Sequence, residues 1–118
     1  MTFREVLEAI RTRVEGTLAV SLLGLDGIPV DAINPAALPL ESISAEFASF
    51  FKGLKLSNTE LQTGEVQQFS VVTDRYITFL SAVTTDYFLL VVLSADGNYG
   101  RARFELAKAK SMLQDELS

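Results

Sequence analysis

Residues Asp86–Leu106 read DYFLLVVLSADGNYGRARFEL. Seven apolar residues run without a break from Tyr87 to Leu93, two glycines follow three positions apart, and a pattern with helical spacing then begins. An unbroken apolar run of this length marks a strand covered on both faces, not a half-buried one. The whole fold must therefore supply cover on two sides of a sheet. A strand, a glycine-bearing turn and a helix start also cradle phosphate in many nucleotide-binding proteins. The details argue against that here. A Walker loop needs GxxxxGK[ST], and ADGNYGRARF has neither its lysine nor its hydroxyl. A dinucleotide fingerprint needs a third glycine and a parallel βαβ unit. Asp96 would set like charge against a phosphate. Gly97 and Asn98 read instead as a turn with Asn98 as helix N-cap, and Gly100 as room for close packing of the first helical turn.

Working outward from this stretch, the remaining elements follow. Thr2 and Glu5 form a capping box, and Phe3, Val6, Leu7, Ile10 and Val14 fall on one face of a first helix that ends near Gly16. The stretch TLAVSLLGLDGIPVDAI predicts a hairpin of strands Leu18–Leu25 and Ile28–Ile33, with Asp26-Gly27 as the positive-φ turn. Pro29 confines the second strand to a sheet edge. A second helix is predicted over residues 41–62 with Gly64 beyond it, and Ile43, Phe47, Phe50, Phe51, Leu54 and Leu61 form its apolar stripe. Three strands follow at Val66–Thr73, Tyr76–Val83 and Tyr87–Leu93. The short connections Asp74-Arg75 and Thr85-Asp86 force antiparallel pairing. The last helix is predicted over Tyr99–Leu117, burying Tyr99, Ala102, Leu106, Ala109, Leu113 and Leu117. The order αββαβββα, with two strands apolar on both sides, predicts an α/β three-layer sandwich. Its five-stranded antiparallel sheet carries one helix on one face and two on the other.

Composition narrows the chemistry. The chain has 118 residues, a length that suits a single domain spanning 1–118. It contains no histidine and no cysteine, which leaves no thiol nucleophile, no Ser-His or Cys-His pair and no usual zinc site. No metal, cofactor or catalytic residue is expected. A net charge of −5 disfavours general attraction to nucleic acid or an anionic membrane. No apolar run reaches membrane-spanning length, and the acidic N-terminal stretch is not a secretory signal. A cytoplasmic location is the expectation.

Two features bear on partners. Ala45, Ser49, Gly53 and Ser57 recur at steps of four along the second helix and would leave a shallow groove, although a mid-helix glycine costs about 1 kcal/mol relative to alanine. Strand three, EVQQFSVVT, is expected at a sheet edge with no proline to block it, and bare edges invite another strand. Both features are satisfied together if two copies meet across a two-fold axis. The dimer interface is therefore assigned to Ala45, Ser49, Gly53, Ser57, Val66, Phe69 and Val71. Arg75, at a hairpin tip, is weighed as an arginine finger against a solvated turn charge. Phe47, Phe50, Phe51, Phe69 and Phe79 are weighed as the lining of a ligand pocket against plain core.

The order of elements, LLGLDGIPV, DYFLLVVL and GNYGRARFEL resemble the Roadblock/dynein light chain family over essentially the whole chain. The last two resemble most its bacterial MglB-like polarity proteins. The resemblance implies a dimer with a shared sheet. It also implies a non-enzymatic regulatory module that binds a small Ras-like GTPase and stimulates its hydrolysis, or scaffolds it, with nucleotide and magnesium held by the partner. The family's partner surface maps onto exposed positions of the second helix, Ser49 and Lys52, with Arg75 as the third candidate. With the sequence ending at Ser118, the C-terminal extension that some MglB-like proteins use for further GTPase contacts is not expected. The competing readings are a small-molecule sensor domain and a purely structural adaptor in a signalling assembly.

Overall fold

A computed structural model describes residues 2–117. Its elements are α1 (Phe3–Arg13), β1 (Thr17–Gly24), β2 (Pro29–Ile33), α2 (Leu40–Leu61), β3 (Gln68–Val72), β4 (Tyr76–Ala82), β5 (Tyr87–Ser94) and α3 (Tyr99–Leu117). The strands form one antiparallel sheet in the order β2-β1-β5-β4-β3. The apolar run Tyr87–Leu93 lies in β5, the central strand. Alternate residues divide between the two cores, as the two-residue period of a strand requires. Leu89, Val91 and Leu93 meet α1 and α3, while Phe88, Leu90 and Val92 face α2. The expected sandwich is the observed one.

The first core is mainly aliphatic, with Phe79 as its one fully buried ring. Val6, Leu7 and Ile10 of α1 and Ala102, Leu106, Ala109 and Leu113 of α3 are all buried against the sheet. Each large side chain so buried stabilises the fold by about 1.5 to 3 kcal/mol. The second core is aromatic. Phe51 of α2 lies 4.6 Å from Phe88, and Phe47 stacks on Phe69 with centroids 5.8 Å apart.

Several local readings change. The β1–β2 turn is centred on Leu25-Asp26: Gly27 N–H donates to the Gly24 carbonyl at 3.0 Å and Gly24 N–H to the Ile28 carbonyl at 3.1 Å. Only Gly27, at φ 82°, takes positive φ, so this is the three-residue loop with a glycine bulge, not the two-residue turn expected of Asp26-Gly27. Gly27 also lies under α2, where a Cβ would come within 3.0 Å of Ala48 Cβ. Gly100 packs against nothing close, since a Cβ there would meet only Asn98 Oδ1 at 3.9 Å. The close approach belongs to Gly16 and Gly97: a Cβ on Gly16 would stand 2.9 Å from Gly97 Cα. In α3, Tyr99 is partly exposed and leans on Phe79, while Glu105, absent from the expected buried face, is buried.

The α2 stripe differs most. Leu40, Ser44, Ala48 and Phe51 are the residues turned into the core. Phe50, Leu54 and Leu61, expected there, are exposed. A 22-residue helix of this apolar content has more hydrophobic surface than one sheet face can cover, so rotation that buries one stripe leaves the next in solvent.

Candidate interaction surface

The two edges of the sheet are finished differently. At β2, the Ala32 N–H donates to the Asp31 carboxylate at 2.9 Å and the Ala32 carbonyl accepts from Arg4 Nη1 at 3.0 Å. Arg4 also pairs with Asp31 at 3.0 Å. With Pro29 at its start and a bulge that leaves Val30 without a partner in β1, this edge is blunted. At β3 none of these devices is present among the described residues. The ladder to β4 is bracketed by Ala82 N–H to the Gln67 carbonyl and Thr73 N–H to the Tyr76 carbonyl, both 2.9 Å. Alternation between these bonds turns the backbone of Phe69 and Val71 toward β4, and that of Gln68, Ser70 and Val72 outward from the sheet.

Beside this bare edge runs α2. Ser49, Phe50, Gly53, Leu54 and Ser57 face Phe69 and Val71 across an open groove of about 520 Å³. Five of the seven residues assigned from sequence to an interface, Ser49, Gly53, Ser57, Phe69 and Val71, thus line one groove. Gly53 is fully open, with nothing within 4 Å of a Cβ built there. Ala45 is exposed one turn before the groove. Val66 lies outside it: β3 begins at Gln68, and Val66 packs from the preceding loop onto the aromatic core. Phe50, 45% exposed, rests edge-on against Phe47 at 5.2 Å and forms the groove's aromatic wall.

The three positions assigned to GTPase contact are not gathered. Ser49 lines the β3 groove, whereas Lys52 lines a separate depression with Lys55, Leu25 and Ile28 on the opposite flank of α2. Arg75 sits in the β3–β4 turn, its guanidinium 5.8 Å from the Tyr76 ring and its carbonyl accepting from Ala95 N–H at 3.1 Å. The apolar hairpin tip, with Leu25, Ile28 and Val30 exposed, was missed from the sequence, although its composition showed it.

The other candidate sites dissolve. In the 95–98 turn, Gly97 N–H is taken by the Ser94 carbonyl at 2.9 Å and Asn98 N–H by the Glu15 carbonyl at 3.4 Å. Glu15 and Asp96 border the same hollow and no lysine or arginine lines it, so it sets negative charge against a phosphate. Asn98 instead caps α3, accepting from Arg101 N–H at 2.9 Å. The five phenylalanines line no common cavity: Phe79 lies in the α1/α3 core, and Phe47, Phe50, Phe51 and Phe69 lie on the α2 side. Among the described residues no group of three acidic side chains is placed to hold a metal ion, and no helix is long and apolar enough to cross a membrane.

A scan against protein-family models finds no match, and neither does a search of curated proteins. Solved structures are similar. A Roadblock/LC7 domain from Streptomyces avermitilis shares 18% identity at a TM-score of 0.84, covering 96% of this chain and 95% of its own. MglC from Myxococcus xanthus shares 36% identity at a TM-score of 0.70, over 98% of this chain and 99% of MglC. The chain belongs to the Roadblock family. An MglB in a tetrameric arrangement shares the Roadblock fold, at 17% identity and a TM-score of 0.87 over 96% of this chain and 85% of that one. The expected place of this Roadblock chain beside bacterial Mgl proteins is thereby met.

Proposed function

We propose that the chain is a cytoplasmic, non-catalytic regulator that pairs with a second copy along α2 and β3, and that the pair binds a small Ras-like GTPase and modulates its hydrolysis of GTP. One observation carries the reading. The only unblunted sheet edge among the described strands adjoins the apolar outer face of α2, and the two share a groove floored by an open glycine. A second copy would extend the sheet through the outward groups of Gln68, Ser70 and Val72 and cover Phe50 and Leu54. Self-association of the MglB neighbour, found in a tetrameric arrangement, supports this. Membership of the Roadblock family supports a regulatory role rather than a catalytic one.

In the pair, the flanks of α2 left uncovered, including Lys52, are the surface offered to the GTPase. The nucleotide and its magnesium stay with that partner, so the module acts by positioning the partner's own catalytic groups. The test mixes the purified chain with a candidate Ras-like GTPase loaded with GTP and follows phosphate release. Faster release supports an activator, and binding without acceleration supports a scaffold. Absence of binding to every nucleotide state removes the proposal.

A further inference from the structure

The face of the sheet opposite α2 carries a charge cluster that the proposed function leaves unused. Glu105 of α3 is 2% exposed, and its carboxylate gathers three cations from two helices. Arg101 Nη2 lies at 3.1 Å, Arg13 Nη1 of α1 at 3.6 Å and Lys108 Nζ at 3.8 Å. The cations themselves remain nearly half exposed. Between Arg101 and Lys108 stands Phe104, 55% exposed, with the guanidinium carbon 5.6 Å and the ammonium 5.4 Å from its ring centroid. One carboxylate cannot neutralise three cations, so the cluster itself holds two positive charges in excess on a chain whose net charge is −5, although Glu5 and Glu8 border Arg13 on its α1 side. The exposed ring is flanked by charge and not covered.

We propose that Arg13, Arg101, Phe104 and Lys108, arranged around Glu105, form a docking site for a short acidic segment of a partner protein that presents an apolar or aromatic side chain between its carboxylates. The excess positive charge fits carboxylates, for which arginine supplies paired donors. The ring supplies the apolar contact at the centre, where interface energy concentrates. Glu105 is a positioning residue: it holds the cations in place before binding and so lowers the ordering cost of association.

Size selects the class of partner. From Arg101 to Lys108 the helix advances only about 10 Å. Asp96 lies before this stretch and Asp115 and Glu116 after it. A short peptide lying along α3 can avoid Glu5 and Glu8, which line a hollow with Arg13 on α1, and charges beyond about 8 Å are screened. A membrane or nucleic-acid duplex is an extended anionic surface and would face those acidic groups as well.

The experiment uses the full chain and a fluorescein-labelled peptide with two glutamates on either side of a phenylalanine, followed by anisotropy at increasing salt. Saturable binding that weakens with salt is expected. R101E/K108E should lower affinity about tenfold or more, and F104A about fivefold. R103E/K110E imposes the same charge change away from the cluster and should bind as wild type. E105Q removes the group that gathers the cations yet adds one net positive charge, so weaker binding with unchanged helical circular dichroism supports positioning by Glu105, and equal or tighter binding overturns that role. Equal loss in the two double variants would reduce the effect to bulk charge and overturn the proposal. So would absence of peptide binding, or capture by phosphatidylserine vesicles in its place. F104A alters an exposed ring and keeps the test open if a charge reversal fails to fold.

Discussion

Gly53 separates the properties of one copy from those of a pair. It lies mid-way along α2, and a Cβ there meets nothing within 4 Å. In an isolated copy, Gly53→Ala therefore costs no contact and gains about 1 kcal/mol of helix propensity. For a domain of this size that gain raises Tm by about 4 °C. Gly53→Trp also beats glycine in an isolated helix, by roughly 0.5 kcal/mol. In a pair the outcome differs, because an indole between Ser49 and Ser57 fills the groove that the second copy would enter. Two measurements are needed: thermal unfolding at dilute concentration, and sedimentation velocity across a concentration series. Wild type should sediment as a dimer, and the tryptophan variant should be folded, soluble and monomeric at 12.9 kDa. A tryptophan variant that still dimerises with unaltered affinity would refute the assignment of this groove, as would a wild type that stays monomeric throughout.

Three further outcomes are expected. Ser70→Pro removes an outward N–H of β3 together with the exposed Ser70–Tyr99 hydrogen bond, and should abolish pairing at a cost of about 1 kcal/mol in monomer stability, whereas Val71→Pro breaks a bond to β4 and should cost about 3 kcal/mol in urea unfolding. Gly16→Ala should destabilise by about 2 kcal/mol or more in the same assay, because φ is +90° and the new Cβ would meet Gly97 Cα at 2.9 Å. The Thr2 backbone N–H first, and its hydroxyl second, hold the Glu5 carboxyl below its ordinary pKa of 4.5. Its folded value is depressed, so the stabilisation is present above that ordinary value and lost as pH falls through the folded one. Acid titration of Thr2→Ala should show a shallower loss of stability with falling pH than wild type.

Local signals in the chain specified most of the architecture. The unbroken run Tyr87–Leu93 demanded cover on both faces, and the Thr2–Glu5 box and Asn98 marked helix starts through hydrogen bonds that span only three residues. Pro29 carried its edge position in its own chemistry, since a residue without an N–H cannot serve two neighbours. The apolar residues of α2 were equally visible, but periodicity does not say which of two adjacent stripes turns inward. That choice followed from where Phe88 and Phe69 stand on strands distant in sequence. Tertiary structure likewise decided that Phe79 and Phe51 lie on opposite sides of the sheet, and that Ser49 and Lys52 look onto different hollows. It also placed Glu105 beneath cations from two helices: its position three after Ala102 and four before Ala109 puts it on the buried stripe, but the partners that make a buried carboxylate tolerable are not visible along the chain, because α1 supplies one of them. Short-range hydrogen bonding and periodicity are written along the chain, whereas the identity of a neighbour across a sheet is fixed only when the layers pack.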